Sequence, residues 1–277
     1  MPDHHPRRFR LGSTSYVYPE GLAGNAARLA GVVDDIELVL FDTPTQSNLP
    51  DADTIRQLDT IARRAGMSYT VHLPTDIAGP EPAAADRLPP SVQLARQVMS
   101  MASPLEPHAY VAHLDGKREL SQGPAADWER WRERRIAMLR ELLPLCPRPE
   151  MLCIENLERY PTEELFPILD RLPVGLCLDV GHLWLDDLEP ISIYRRFRSR
   201  IRVVHLHGLG SGAHQSLQKM PRRPVFQLLD ELHKTCYDGV LTLEVFGQDD
   251  FFSSRDVLGE WEALRVESGA CEGIQDG

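Results

Sequence analysis

Histidines and carboxylates interrupt apolar runs at a repeated place in this chain. His72 stands in Tyr-Thr-Val-His-Leu-Pro, His113 in Tyr-Val-Ala-His-Leu-Asp and Glu155 in Cys-Ile-Glu-Asn. Asp179 follows in Cys-Leu-Asp-Val-Gly-His, His205 and His207 in Val-His-Leu-His-Gly, and Glu244 in Leu-Glu-Val-Phe. One buried imidazole is ordinarily a hydrogen-bonded core residue, but six successive runs ending alike need another explanation. Clustered buried carboxylates and imidazoles carry a desolvation cost that a bound cation offsets. Imidazole plus carboxylate without thiolate suits Zn, Fe, Mn or Co as divalent ions, and affinity order alone does not choose among them. The donors outnumber what one tetrahedral ion takes, so two or more ions sharing a carboxylate is the economical arrangement, with Glu155 as the preferred bridge. Paired ions lower the pKa of bound water and hold both oxygens of an in-line displacement at phosphorus, which makes phosphate-ester hydrolysis the leading chemistry.

Spacing refines the set. His205 and His207 are two apart, so a regular strand points both to one face. Asp179 and His182 are three apart across Gly181, and a turn there brings both to one mouth. Glu155, Glu244 and His182 are the candidates for the chemistry itself as well as for metal. His214, in Gly-Ala-His-Gln-Ser, is either a further ligand or a solvated loop histidine, and Glu37 either a ligand or a buried supporting carboxylate. His4, His5, His108 and His233 fall on an end, a turn or a helix and receive no role. Lys117, Lys219, Arg222 and Arg223 could reach a phosphate from loops but read as solvated surface charge.

These residues need strands that end together. Eight apolar, β-branched runs recur, at Phe9–Tyr18, Asp35–Phe41, Ser68–Leu73, Ala109–Leu114, Met151–Leu157, Val174–Val180, Ile201–Leu206 and Gly239–Phe246. Segments of helical period lie between them, at Gly24–Val33, Asp51–Gly66, Pro89–Met101, Ala125–Leu143, Thr162–Arg171, Leu188–Arg198, Arg222–Thr235 and Ser254–Val266. Asp51 and Thr162 can cap helices, and Gly66 suits a stop. This alternation predicts an α/β fold, a single (β/α)8 TIM barrel over residues 9–266, whose strand ends converge on one mouth. No G-x-G-x-x-G follows the first strand, which counts against a doubly wound sheet. The Pro-rich stretch from Gly79 to Pro90 reads as a loop at the mouth, residues 1–8 as an N-terminal tail and 267–277 as a flexible acidic tail.

Composition is that of a globular protein, 42% hydrophobic and 26% charged. A formal net charge of −11 opposes attraction to nucleic acid or an anionic membrane. The N-terminal residues lack a signal-peptide pattern and no run is long enough to span a bilayer, so the expected location is cytoplasmic. The five cysteines show no CxxC spacing and read as reduced, mostly buried thiols.

With these residues in hand, the chain resembles the xylose-isomerase-like TIM-barrel superfamily of endonuclease IV-type phosphodiesterases and sugar epimerases, from Phe9 to Glu260. Glu155, Asp179, His205 and Glu244 match the four metal ligands common to both branches, and His72 and His113 match the extra ligands of the endonuclease-like branch. In that branch a third metal is held by the histidine matching His182 and by an Asp-x-His motif; His214 fits its histidine, but Gly212 stands where the acid would be. More narrowly, Val33–Phe41, Tyr69–Pro74, Cys177–Leu183, His205–Gly208 and Leu241–Phe246 are similar to the cobamide-remodelling phosphodiesterase family, CbiR. That resemblance implies cleavage of the nucleotide-loop phosphodiester of adenosylated cobamides to adenosylcobinamide phosphate and an α-riboside, for salvage. The loops at Thr75–Pro90 and Gly208–Arg223 would embrace the small-molecule corrinoid. The alternative is a sugar epimerase or isomerase with one metal on the quartet, Glu155 and Glu244 moving protons beside a carbonyl. DNA cleavage and a non-enzymatic metal or corrinoid carrier rank below both. Oligomeric state is left open by the sequence.

Overall fold

The computed structural model describes residues 7–74, 88–114 and 126–272, without the side chains of 126–127 and 267–272. Eight parallel strands close into a barrel in sequence order, β8 pairing back onto β1. They are β1 (Arg10–Thr14), β2 (Asp35–Val39), β3 (Ser68–His72), β4 (Tyr110–His113), β5 (Leu152–Glu155), β6 (Gly175–Asp179), β7 (Ile201–Leu206) and β8 (Val240–Leu243). The expected (β/α)8 architecture is therefore present. Several strands are shorter than their apolar runs. β1 stops at Thr14, and Asn25 holds the buried Tyr18 beyond it by bonding its backbone N–H at 2.8 Å and its carbonyl at 3.0 Å.

The helices outside the barrel are α1 (Leu22–Leu29), α2 (Ala52–Ala65), α3 (Pro90–Ala102), α4 (Ala126–Leu142), α5 (Phe166–Arg171), α6 (Val180–Leu185), α7 (Pro190–Phe197), α8 (Arg222–Lys234) and α9 (Gln248–Glu272). α2 begins where Asp51 accepts the Thr54 N–H at 2.8 Å and stops at Gly66, whose φ of 66° is left-handed. Thr162 does not cap: it opens a 3-10 turn, Thr162–Leu165, that Pro161 precedes without a side-chain bond. α6 was not expected, because the apolar Asp179–Leu183 stretch reads as strand and turn. α9 is longer than Ser254–Val266 and takes in part of the segment expected as an acidic tail. Most of the proposed mouth loop, 75–87, lies outside the described residues, as do Lys117, His4 and His5.

Successive inward side chains are two residues apart along a strand. One step below the strand ends the barrel is filled on one side by Val111, Cys153, Cys177 and Val203, buried together with Ala109. On the other side the same level carries Glu37, Thr70 and Thr242, all buried. The larger apolar core lies between barrel and helices. At Gly175, which opens β6, a Cβ would stand 2.3 Å from the Glu150 carbonyl and 2.7 Å from Cys153 Sγ. Gly175→Ala is expected to destabilise the barrel by about 1–3 kcal/mol, read as a lower urea midpoint.

Candidate metal centre

β3, β4, β5 and β6 end on His72, His113, Glu155 and Asp179; His205 is one residue before the end of β7, and Glu244 directly follows β8. Strand register sets His113 beside Glu155 and Asp179 beside His205. Closure of the barrel thus brings residues far apart in sequence to one floor. Glu155 stands between two groups. Its Oε2 is 2.9 Å from His113 Nε2 and 3.4 Å from His72 Nε2, and those two nitrogens are 3.1 Å apart. Its Oε1 lies 3.2 Å from His205 Nδ1, which also has Glu244 Oε2 at 3.2 Å and Asp179 Oδ2 at 3.8 Å. His72, His113 and Glu155 therefore form one donor group, and Glu155, Asp179, His205 and Glu244 another, each with its atoms within 4.8 Å of one another.

His182, His207 and His214 make a third group within the same limit. The turn expected at Gly181 is the first turn of α6, capped by Asp179, whose Oδ1 accepts the His182 N–H at 2.6 Å. Gly181 has a steric duty, since a Cβ there would lie 2.0 Å from His207 Cε1. His214 sits in a left-handed conformation with φ 55° and packs its ring 4.4 Å from that of His207. An acid at 212 is thus not needed for three donors to meet.

Hydrogen bonds decide which nitrogen each ring offers. A backbone carbonyl only accepts, so a nitrogen facing one must carry the proton. The Nδ1 atoms of His72, His182, His207 and His214 face the carbonyls of Leu73, Asn156, Gly208 and Glu244 at 2.9, 3.1, 3.2 and 3.2 Å. In that tautomer each Nε2 keeps its lone pair. His207 Nδ1 also lies 3.0 Å from the His214 N–H, so this ring has a second tautomer within reach. His205 is wired the other way, with Nε2 2.8 Å from Glu37 Oε2. Asp179 Oδ2, Glu244 Oε2 and His207 Nε2 are buried without a hydrogen-bond partner. Unpartnered acceptors crowded into a buried space fit divalent cations, and a set of imidazole nitrogens and carboxylate oxygens fits Zn, Fe, Mn or Co. Cys177 also approaches Glu155 and His205, but burial pushes its thiol well above the usual range, and it stays protonated.

Two neighbours were missed in the sequence. The Asn156 side chain holds Asp179 by its N–H and its carbonyl, both at 2.8 Å, and Glu158 Oε2 lies 3.4 Å from His182 Nε2. Their only signal was proximity to Glu155. The residues given no role stay apart: His108 bonds the Arg202 carbonyl at 3.1 Å, and His233 packs against Trp261. Arg222 pairs with Glu260 at 2.6 Å, and Lys219 with Gln215.

Burial alone would push His72 down, but the Glu155 hydrogen bond and the charges of Glu37, Glu155 and Glu244 bring it up to about 9. His214 is likewise opposed by burial and raised by Glu244 to about 9. Burial would raise Glu155 and Glu244, yet His205 and His113 hold Glu155, and His205 and His214 hold Glu244, well below the carboxylate range. Because these imidazoles titrate higher folded than unfolded, their stabilisation is full below about pH 6.5 and lost as pH rises through about 9. Chelator-treated protein should lose thermal stability across that window. Divalent-ion binding near pH 7.5 should release protons, read by calorimetry in buffers of different ionisation enthalpy; proton uptake would contradict the assignment.

A family model described as xylose isomerase-like TIM barrel matches residues 25–266. Solved structures of the same shape include a D-tagatose 3-epimerase-like protein, with TM-score 0.75 at 19% identity over 94% of this chain and 99% of that one. Endonuclease IV from Thermus thermophilus gives TM-score 0.62 at 20% identity over 91% and 99%. A probable 3-DHS dehydratase, AsbF from Bacillus anthracis, gives 0.68 at 12% over 91% and 99%. No curated protein sequence matches significantly. At such identities the shared property is the fold, and the family match over most of the length is the stronger finding. The chain belongs to the xylose isomerase-like TIM barrel family.

Proposed function

We propose that this chain is a metal-dependent phosphodiesterase that hydrolyses the nucleotide-loop phosphodiester of adenosylated cobamides, giving adenosylcobinamide phosphate and an α-riboside. The observation that carries the hydrolytic reading is the divided carboxylate of Glu155, one oxygen in each of two donor groups. A one-metal epimerase needs only the group with Asp179, His205 and Glu244, and leaves His72 and His113 without a task. Ions held in both groups would supply Lewis-acid stabilisation of the phosphodiester oxygens and a more acidic water. Glu155 keeps the two groups in register, and Asn156 holds Asp179 in place. His182 serves either as a donor of the third group or, protonated on Nε2 toward Glu158, as the acid for the departing oxygen.

The substrate reading rests on the resemblance of the segments that carry His72, Asp179, His205 and Glu244 to the cobamide-remodelling family. A wall beside the site supports it. Phe246 is 47% exposed, packs edge-on to His214 at 5.4 Å and to Tyr16 at 6.3 Å, and Tyr16 stacks on Phe41. Such an apolar wall suits one face of a large macrocycle. The net charge of −11 disfavours a nucleic-acid substrate. Among the described residues no helix is long and apolar enough to cross a membrane.

The test is anaerobic incubation of the protein, reconstituted separately with Zn, Fe, Mn or Co, with adenosylcobalamin, followed by mass identification of the products. Adenosylcobinamide phosphate with α-ribazole is the expected result. Intact substrate with every metal, together with activity on ketoses, would replace this reading by the epimerase one. His113→Ala and Glu155→Ala should each lower turnover more than about 100-fold while keeping the folded circular dichroism spectrum, and His233→Ala should leave the rate unchanged. Full metal binding and turnover by His72→Ala would remove the case for the second donor group.

A further inference from the structure

Glu37 sits in the middle of β2, fully buried, level with Thr14 on β1 and Thr70 on β3. Its Oε2 accepts from His205 Nε2 at 2.8 Å, and its Oε1 has no hydrogen-bond partner. A carboxylate is not buried at this depth without a compensating interaction. Here that interaction is the His205 ring, which is itself completely buried.

Both nitrogens of His205 face carboxylates, Nε2 facing Glu37 at 2.8 Å and Nδ1 facing Glu155 and Glu244 at 3.2 Å. A neutral imidazole has one N–H, and an ionised carboxylate can only accept. Nε2 faces Glu37 at the shorter distance, 2.8 Å, so when a cation displaces the proton from Nδ1 the one N–H that remains is held on Nε2 by Glu37 and the lone pair falls on Nδ1. Nδ1 itself lies 3.2 Å from Glu155 Oε1, 3.2 Å from Glu244 Oε2 and 3.8 Å from Asp179 Oδ2, among the oxygens that would share an ion with it. The rings of His72, His182, His207 and His214 take their orientation from nearby backbone carbonyls. His205 presents the opposite nitrogen and takes its orientation from a carboxylate across the barrel.

We propose that Glu37 is a positioning residue: by holding His205 Nε2–H it selects Nδ1 as the nitrogen offered to the ion and sets the affinity of the group formed with Glu155, Asp179 and Glu244. This rests on the metal reading of the site and not on the identity of the substrate. Glu37 also comes within 4.8 Å of donor atoms on His72 and Glu244, so direct ligation is the competing role.

Glu37→Ala and Glu37→Gln, first shown to keep the folded circular dichroism spectrum without metal, separate the two roles. Affinities for Zn2+ and Co2+ are measured by chelator competition, with the visible Co2+ spectrum as a second readout. Glu37→Ala should weaken binding of one ion about 10–100-fold and change the Co2+ bands, while the His72 and His113 group still loads. Glu37→Gln, whose amide oxygen still accepts from Nε2–H, should recover most of that affinity. Wild-type affinity and an unchanged spectrum in both variants would overturn the proposal, as would a Gln variant as damaged as the Ala variant, which would mark Glu37 as a ligand. Wild-type protein that loads metal but leaves adenosylcobalamin intact would sink the substrate reading alone.

Discussion

The carboxylate of Glu155 is the constraint around which the upper barrel is arranged. It is 1% exposed, and a charge so placed costs several kcal/mol unless its oxygens are compensated. Compensation comes from imidazoles on both sides, His72 and His113 on one and His205 on the other. Those imidazoles can face it because β3, β4 and β5 end on His72, His113 and Glu155 and β7 carries His205 at its last residue but one. The barrel converts strand length into chemistry: one residue more or less in β4 would turn His113 away from Glu155.

The strand ends supply a second service. Backbone carbonyls at the end of a sheet no longer have a ladder partner, and such groups must be satisfied when buried. The carbonyls of Leu73, Asn156, Gly208 and Glu244 face histidine Nδ1 atoms, which removes unsatisfied acceptors and orients the rings in one step. The arrangement is tight. Gly181 provides room for the His207 ring, and Asn156 links β5 to β6 by bonding both backbone groups of Asp179. Beneath this layer, Val111, Cys153, Cys177 and Val203 close off half of the barrel. The polar half, with Glu37, reaches up to His205 and gives the floor an asymmetry that an all-apolar barrel would lack.

In the absence of cations, the same cluster balances its charge with protons. Histidines raised toward about 9 face carboxylates held far below their ordinary range, so the imidazolium and divalent-metal forms are electrostatic substitutes for each other. A site built this way could exchange protons for metal without unfolding, because the strands and the carbonyl bonds that position the rings would be common to both forms.

The sequence by itself determined the repeat of apolar runs ending in His, Glu or Asp, and from this came the barrel and the candidate donors His72, His113, Glu155, Asp179, His205 and Glu244. Those were legible because a period-2 strand with a polar residue at one end is a local pattern. It did not reveal that Asp179 begins a helix, since a short apolar segment can be strand or helix and only the Asp179 cap settles the matter. Nor did it reveal the contacts of Glu37, Asn156 and Glu158, or which nitrogen of each histidine turns inward. These depend on contacts between strands far apart in the chain, as with Glu37 and His205, 168 residues apart, and distances of that kind exist only once the barrel has closed.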